Sequence, residues 1–125
     1  MRNPRFQRQH LKRAPRHLLG ALHVRDLDAR GAAARRWSFH HIQLPPSQGH
    51  PPVRHLKTHE WIYVYHGAVK AVVGGKSFRL ASGDFLHISP KIWHAFRAEK
   101  AGVKALCLFM PPLSWKSPDV QKKLS

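Results

Sequence analysis

Glycine and proline cut most of this chain into short runs of strand-forming residues, and that punctuation constrains the fold more than any other feature. From Trp37 onward the runs are rich in aromatic and β-branched side chains, the residues that suit a pleated, half-buried surface. Trp37 to Leu44 is followed by Pro45-Pro46 and Pro51-Pro52, which force a loop. Glu60 to His66 ends at Gly67, and Ala68–Val73 and Lys76–Ala81 flank Gly74-Gly75, a two-residue hairpin signal that reaches positive φ at little cost. Ser82-Gly83-Asp84 is a turn, Phe85–Ile88 a short strand, and His94–Ala98 with Val103–Met110 suggest a second hairpin around Lys100-Ala101-Gly102. Strand upon strand with tight turns predicts an all-β sandwich or barrel. Leu18 to Leu27 carries only a weak pattern. Ser117-Pro118-Asp119 has the chemistry of a helix start, so a short C-terminal helix is expected through Leu124.

The 125 residues suffice for one domain with its own core. No apolar run approaches the roughly 18–20 residues a membrane span needs. A single cysteine, Cys107, excludes an internal disulfide framework and suits a reducing, cytoplasmic setting. The charge is lopsided: 22 Lys and Arg oppose 6 Asp and Glu, a formal +16. Half of that excess lies in residues 1–36, which hold no acid before Asp26. This segment reads as a basic, poorly ordered N-terminal arm, able to attract polyanions nonspecifically. It lacks the interleaved aromatics of a nucleic-acid stacking platform, since Phe6 is the only aromatic before Trp37.

Alternation assigns faces. On one side of the Glu60 run lie Glu60, Ile62 and Val64; on the other lie Trp61, Tyr63 and Tyr65. The same rule groups Phe78 with Leu80, Leu86 with Ile88, His94 with Phe96, and Cys107 with Phe109, giving an inward set of Ile62, Val64, Phe78, Leu86, Ile88, Phe96, Cys107 and Phe109 around a pocket. Glu60 therefore shares a face with apolar neighbours. A carboxylate there costs several kcal/mol unless it is paired or binds a metal. Other chemistry finds no support. No glycine-rich phosphate cradle precedes a helix, Asp84 belongs to a turn, and no serine sits in a nucleophile elbow.

Two motifs resemble one known family. His55, four residues, Glu60, six residues and Gly67 form the first; Gly83-Asp84, Pro90 and His94 form the second, in the run Gly-Asp-Phe-Leu-His-Ile-Ser-Pro-Lys-Ile-Trp-His. Together, with the Gly-Gly hairpin between them, they resemble the cupin signature over about residues 37–112. The resemblance implies a small jelly-roll β-barrel (a double-stranded β-helix), here carrying the basic arm of residues 1–36 and a C-terminal tail of residues 113–125. It also implies a divalent metal held by two histidines of a His-x-His element, a glutamate and a later histidine. These positions fall on Val53, His55, Glu60 and His94, so the first ligand is replaced by a side chain that cannot bind metal.

The remaining pair of imidazoles and one carboxylate is still a sufficient ligand set for Fe(II), and equally accepts Zn, Ni, Co or Mn. His59, if a bulge turns it inward, and His41 on the first body strand are candidates for a fourth ligand; His50 lies in the loop before the motif. The functional expectation is a metal-dependent oxygenase, isomerase or lyase acting on a small molecule, an anionic one among the candidates, with Glu60 as ligand or general base. The alternative is a non-catalytic small-ligand-binding or sensory cupin, with or without metal. The Trp61, Tyr63 and Tyr65 stripe is a plausible homodimer contact.

Overall fold

Two long antiparallel strands carry the architecture. The computed structural model describes residue 6 and residues 8–28, 36–113 and 119–123. In chain order the strands are β1 (Arg16–Leu19), β2 (Leu22–Asp26), β3 (Ser38–Leu44), β4 (Val53–His55), β5 (His59–Val73), β6 (Lys76–Ala81), β7 (Phe85–Ile88), β8 (His94–Met110) and β9 (Val120–Lys122). A single 3₁₀ turn, Leu11–Arg13, precedes them. β5 and β8 pair from His59 opposite Met110 to Val73 opposite His94. One path of the sheet runs β1-β2-β3-β8-β4-β9, and β5 adds β6 and β7. The antiparallel sheet curls on itself into an all-β jelly-roll barrel whose core includes Leu44, Ile62, Val64, Val69, Leu80 and Val103. No helix among the described residues is long and apolar enough to cross a membrane.

The separate runs read on either side of Gly67 and Gly102 are each one continuous strand. Residues 99–102 of β8 lie opposite the single residue Ala68 of β5, so the expected second hairpin is a large bulge instead. Gly67 (φ 74°) and Gly102 (φ 73°) meet there. A Cβ on Gly67 would overlap the Gly102 carbonyl oxygen, so the two backbones can bend past each other only without side chains. The Gly74-Gly75 hairpin forms as expected, with φ of 57° and 81°.

Both ends of the chain depart from expectation. Residues 16–26 of the basic arm, expected to be poorly ordered, form the β1–β2 hairpin, which pairs on β3 through Val24 opposite Ile42. Val24 is buried, so this hairpin contributes apolar surface to the barrel. At the other end the expected helix gives way to β9, which pairs with β4 from Val53 opposite Lys122 to His55 opposite Val120. The helix start at Ser117-Pro118 lies outside the described residues. Asp119 shows why the local signal misled: its carboxylate does accept backbone amides, but those of Leu56 (3.2 Å) and Lys57 (2.7 Å), on a distant turn.

Candidate metal centre

Three strands bring His55, Glu60 and His94 to one point on the inner wall. Glu60 stands near the start of β5, between Ile88 of β7 and Phe109 of β8. His55 ends β4, and His94 opens β8 opposite Val53. The short turn from His55 to Glu60 is braced by Asp119, whose carboxylate also accepts the Thr58 hydroxyl at 2.9 Å. All three side chains are buried. Each offers one donor atom, and those atoms lie within 4.8 Å of one another.

His55 Nε2 and His94 Nε2 each stand 3.5 Å from the same oxygen, Glu60 Oε1. That is longer than an ordinary charge-assisted hydrogen bond. His94 Nδ1 lies 3.0 Å from the Ile92 carbonyl oxygen, to which it donates. In the neutral ring, Nε2 is then a lone pair aimed at a carboxylate, and such a contact needs a cation between the two, either a proton or a metal ion. His55 Nδ1 is buried with no hydrogen-bond partner among the described residues. Burial pushes the Glu60 carboxyl up, but the two imidazoles more than offset this and hold its pKa at about 2. Burial pulls His94 down, and Glu60 outweighs it, so His94 sits above the ordinary histidine value. The donor set of two imidazoles and one ionised carboxylate in a buried site fits a divalent transition metal.

The cluster opens on a cavity of about 500 Å³. Ile62, Val64, Phe96 and Phe109 line it. Ile88 and Cys107 are buried in the core rather than on the cavity wall, and burial, with the Glu60 charge added, pushes the Cys107 thiol far up. Leu86 packs half-buried against the core. Phe78 shares its strand face with Leu80 but is 38% exposed, because it lies two residues from the hairpin tip, where alternation continues and the barrel does not. Neither candidate for a fourth ligand joins the cluster. His59 faces outward and lies 3.0 Å from His87 Nε2. His41 is buried but off the cavity wall, 2.6 Å from the Tyr65 hydroxyl, and burial followed by the Lys104 and Arg25 charges lowers its pKa.

Several residues of this neighbourhood escape a reading of local patterns. Leu19, Leu22 and Val24 of the N-terminal hairpin line the cavity, as do Val120 and Lys122 of β9. His50, which the sequence already places in the loop before the motif within reach of the site, lines it too, with its pKa lowered mainly by burial. Ser38, His40 and Asp26 also cluster, with His40 Nε2 2.7 Å from Ser38 Oγ and its Nδ1 2.7 Å from Asp26 Oδ1, a charge-pair contact without hydrogen-bond geometry. This group is structural: Ser38 and His40 are buried, Ser38 Oγ accepts the Leu113 amide, and neither residue lines the cavity.

A family model described as Cupin domain matches residues 40–110. The chain belongs to the cupin domain family. No curated protein matches this cupin by sequence. Among solved structures it is similar to KdgF from Halomonas sp. (TM-score 0.72, 15% identity, covering 85% of this chain and 94% of that one). It is also similar to a variant of Streptomyces PAC13 with uridine (TM-score 0.77, 7% identity, covering 97% and 92%). Oxalate decarboxylase from Bacillus subtilis is a third (TM-score 0.73, 19% identity), of which this cupin covers 30%. At these identities the likeness is one of fold.

Proposed function

We propose that this cupin binds one divalent metal through His55, Glu60 and His94 and a small molecule in the cavity beside it, and that it acts as a metal-dependent small-molecule enzyme of the oxygenase, isomerase or lyase type. The observation that carries the reading is the shared Glu60 oxygen: two imidazoles converge on one buried carboxylate at a distance too long for mutual satisfaction. A bound metal would supply Lewis acidity and open positions for water or substrate oxygen. The protein's own contribution is to hold the donor set. The Ile92 carbonyl sets the His94 tautomer, and Asp119 fixes the turn between His55 and Glu60. The apolar wall keeps bulk water from the reacting atoms. The similar solved structures include a decarboxylase and a complex with uridine, which supports a small-molecule role for the barrel.

Val53 favours the second reading, a ligand-binding or sensory cupin. A site with one imidazole fewer binds metal more weakly and leaves the cavity free to serve as a receptor. The exposed Tyr63 and Tyr65 on the outer face of β5 support a homodimer, which sedimentation would report. Elemental analysis of protein purified without chelators tests the main reading. Near-stoichiometric transition metal is expected, lost in His94→Ala. Protein free of metal even after reconstitution with Fe(II), Zn(II), Ni(II), Co(II) or Mn(II) would refute it.

A further inference from the structure

The cavity wall carries a cation that the metal reading does not use. Lys122 of β9 is in register with Val53 of β4, and Val53 is in register with His94 of β8. Directly opposed residues share a sheet face, so Lys122, Val53 and His94 form one row across three strands, pointing inward. Lys122 lines the cavity and is exposed at its mouth. No described carboxylate forms an ion pair with it. Glu60 is the sole acid among the described lining residues, and it is engaged by His55 and His94.

Most of the remaining wall limits what can enter. His50 is its one further polar side chain among the described lining residues, while Leu22, Val24, Leu44, Val64, Leu80 and Val103 present hydrocarbon. A ligand rich in hydroxyls or amides would lose its water against these hydrocarbon side chains with few partners in return, at a cost of several kcal/mol for each group left unpaired. An apolar body loses nothing of the kind and gains by burial. The volume of about 500 Å³ falls within the roughly 300–1,000 Å³ of small-molecule sites. At a strand spacing of about 4.8 Å, the backbones of His94 and Lys122 are about two spacings, or 10 Å, apart.

We propose that the cavity takes a small, mostly apolar monocarboxylate, with its carboxylate held by Lys122 at the mouth and its hydrocarbon body reaching inward toward His94. Lys122 is then a specificity-determining residue, standing beside the position where Val53 replaces a ligand. The assignment rests on the reading of this cavity as the small-molecule site, and it names the chemical class of the occupant.

Titration calorimetry with 3-phenylpropionate, 3-phenylpropionamide and succinate tests it, on the protein as purified and after removal of metal with EDTA. The acid should bind about tenfold more tightly than its amide, as a charged hydrogen bond provides, and succinate should bind more weakly than either. Lys122→Gln should bring acid and amide within about twofold of each other, leaving the amide affinity unchanged. Lys122→Arg should keep the preference. So should Lys70→Gln, which removes a charge from the outer surface and controls for the general basicity of the chain. Equal binding of acid and amide, no binding of either, or tightest binding of succinate would overturn the proposal. A preference that survives Lys122→Gln but disappears with EDTA would place the carboxylate on a metal and overturn it too. A Lys122-dependent preference in protein that holds no metal would sustain it while refuting the metal reading.

Discussion

Adjacent residues of β5 lead to two different groups of histidines. Glu60 points inward and gathers His55 and His94 in a buried site. His59 points outward, where its ring stacks on His87 (centroids 5.2 Å apart, planes 7° apart) and on Trp61 (5.6 Å). His59 Nδ1 and His87 Nε2 lie 3.0 Å apart, so one ring donates and the other accepts. The outer pair is satisfied by itself and by solvent, and it needs no cation. The inner pair converges on a desolvated carboxylate, and it does. Burial and countercharge separate a candidate ligand site from a histidine pair; proximity of imidazoles does not.

That contrast can be broken at several points. Replacing Glu60 by Gln should have the largest effect: it removes the charge around which the inner site is built, and metal content after dialysis should fall to background. Asp119→Ala comes next. It releases the turn that spaces His55 from Glu60 and should weaken metal affinity about tenfold, as loss of a ligand-orienting partner does, measured by chelator competition. The same substitution should lower stability by about 1 kcal/mol, a figure reduced by the exposure of this carboxylate.

The Asp119 contribution has a definite pH sense. Burial raises its carboxyl, but the amides of Lys57 and Leu56 and the Thr58 side chain outweigh this and hold it below the ordinary aspartate value. A depressed folded pKa stabilises above the unfolded value, near about 3.9. The contribution is lost as pH falls through the folded value. Melting curves of the native protein and Asp119→Ala should therefore differ at neutral pH and converge in acid.

A gain of function is expected from Val53→His. It restores an imidazole on the inner face directly opposite His94 and should tighten metal binding about tenfold, visible in the same competition assay. The smallest effect belongs to the outer face. His59→Ala with His87→Ala should leave metal content unchanged and shift stability by no more than about 0.5 kcal/mol. A loss of metal in that double variant would erase the distinction between the two groups.

The clustering of His55, Glu60 and His94 was legible because its signals are local. Alternation through β5 places Glu60 with Ile62 and Val64, and the spacing from His55 to Gly67 and from Gly83 to His94 carries the family resemblance. What stayed hidden depends on pairing between distant segments. β9 is a strand because β4 lies beside it, not because Val120-Gln121-Lys122 demands one. Asp119 has the same amide-accepting chemistry whether it opens a helix or ties down Leu56 and Lys57. Gly102 looks like a turn residue in isolation, and only the approach of Gly67 makes it a bend inside a long strand. For Phe78, alternation gives the face but not the distance from the open end of the barrel. Lys122 and the hairpin residues that line the cavity follow from the same long-range pairing.

The most direct test is an anomalous-difference map from crystals of protein purified without chelators and soaked with Zn(II). A peak bounded by Glu60 Oε1, His55 and His94 is the predicted result. A peak between His59 and His87 on the outer face, with none at Glu60, would contradict it.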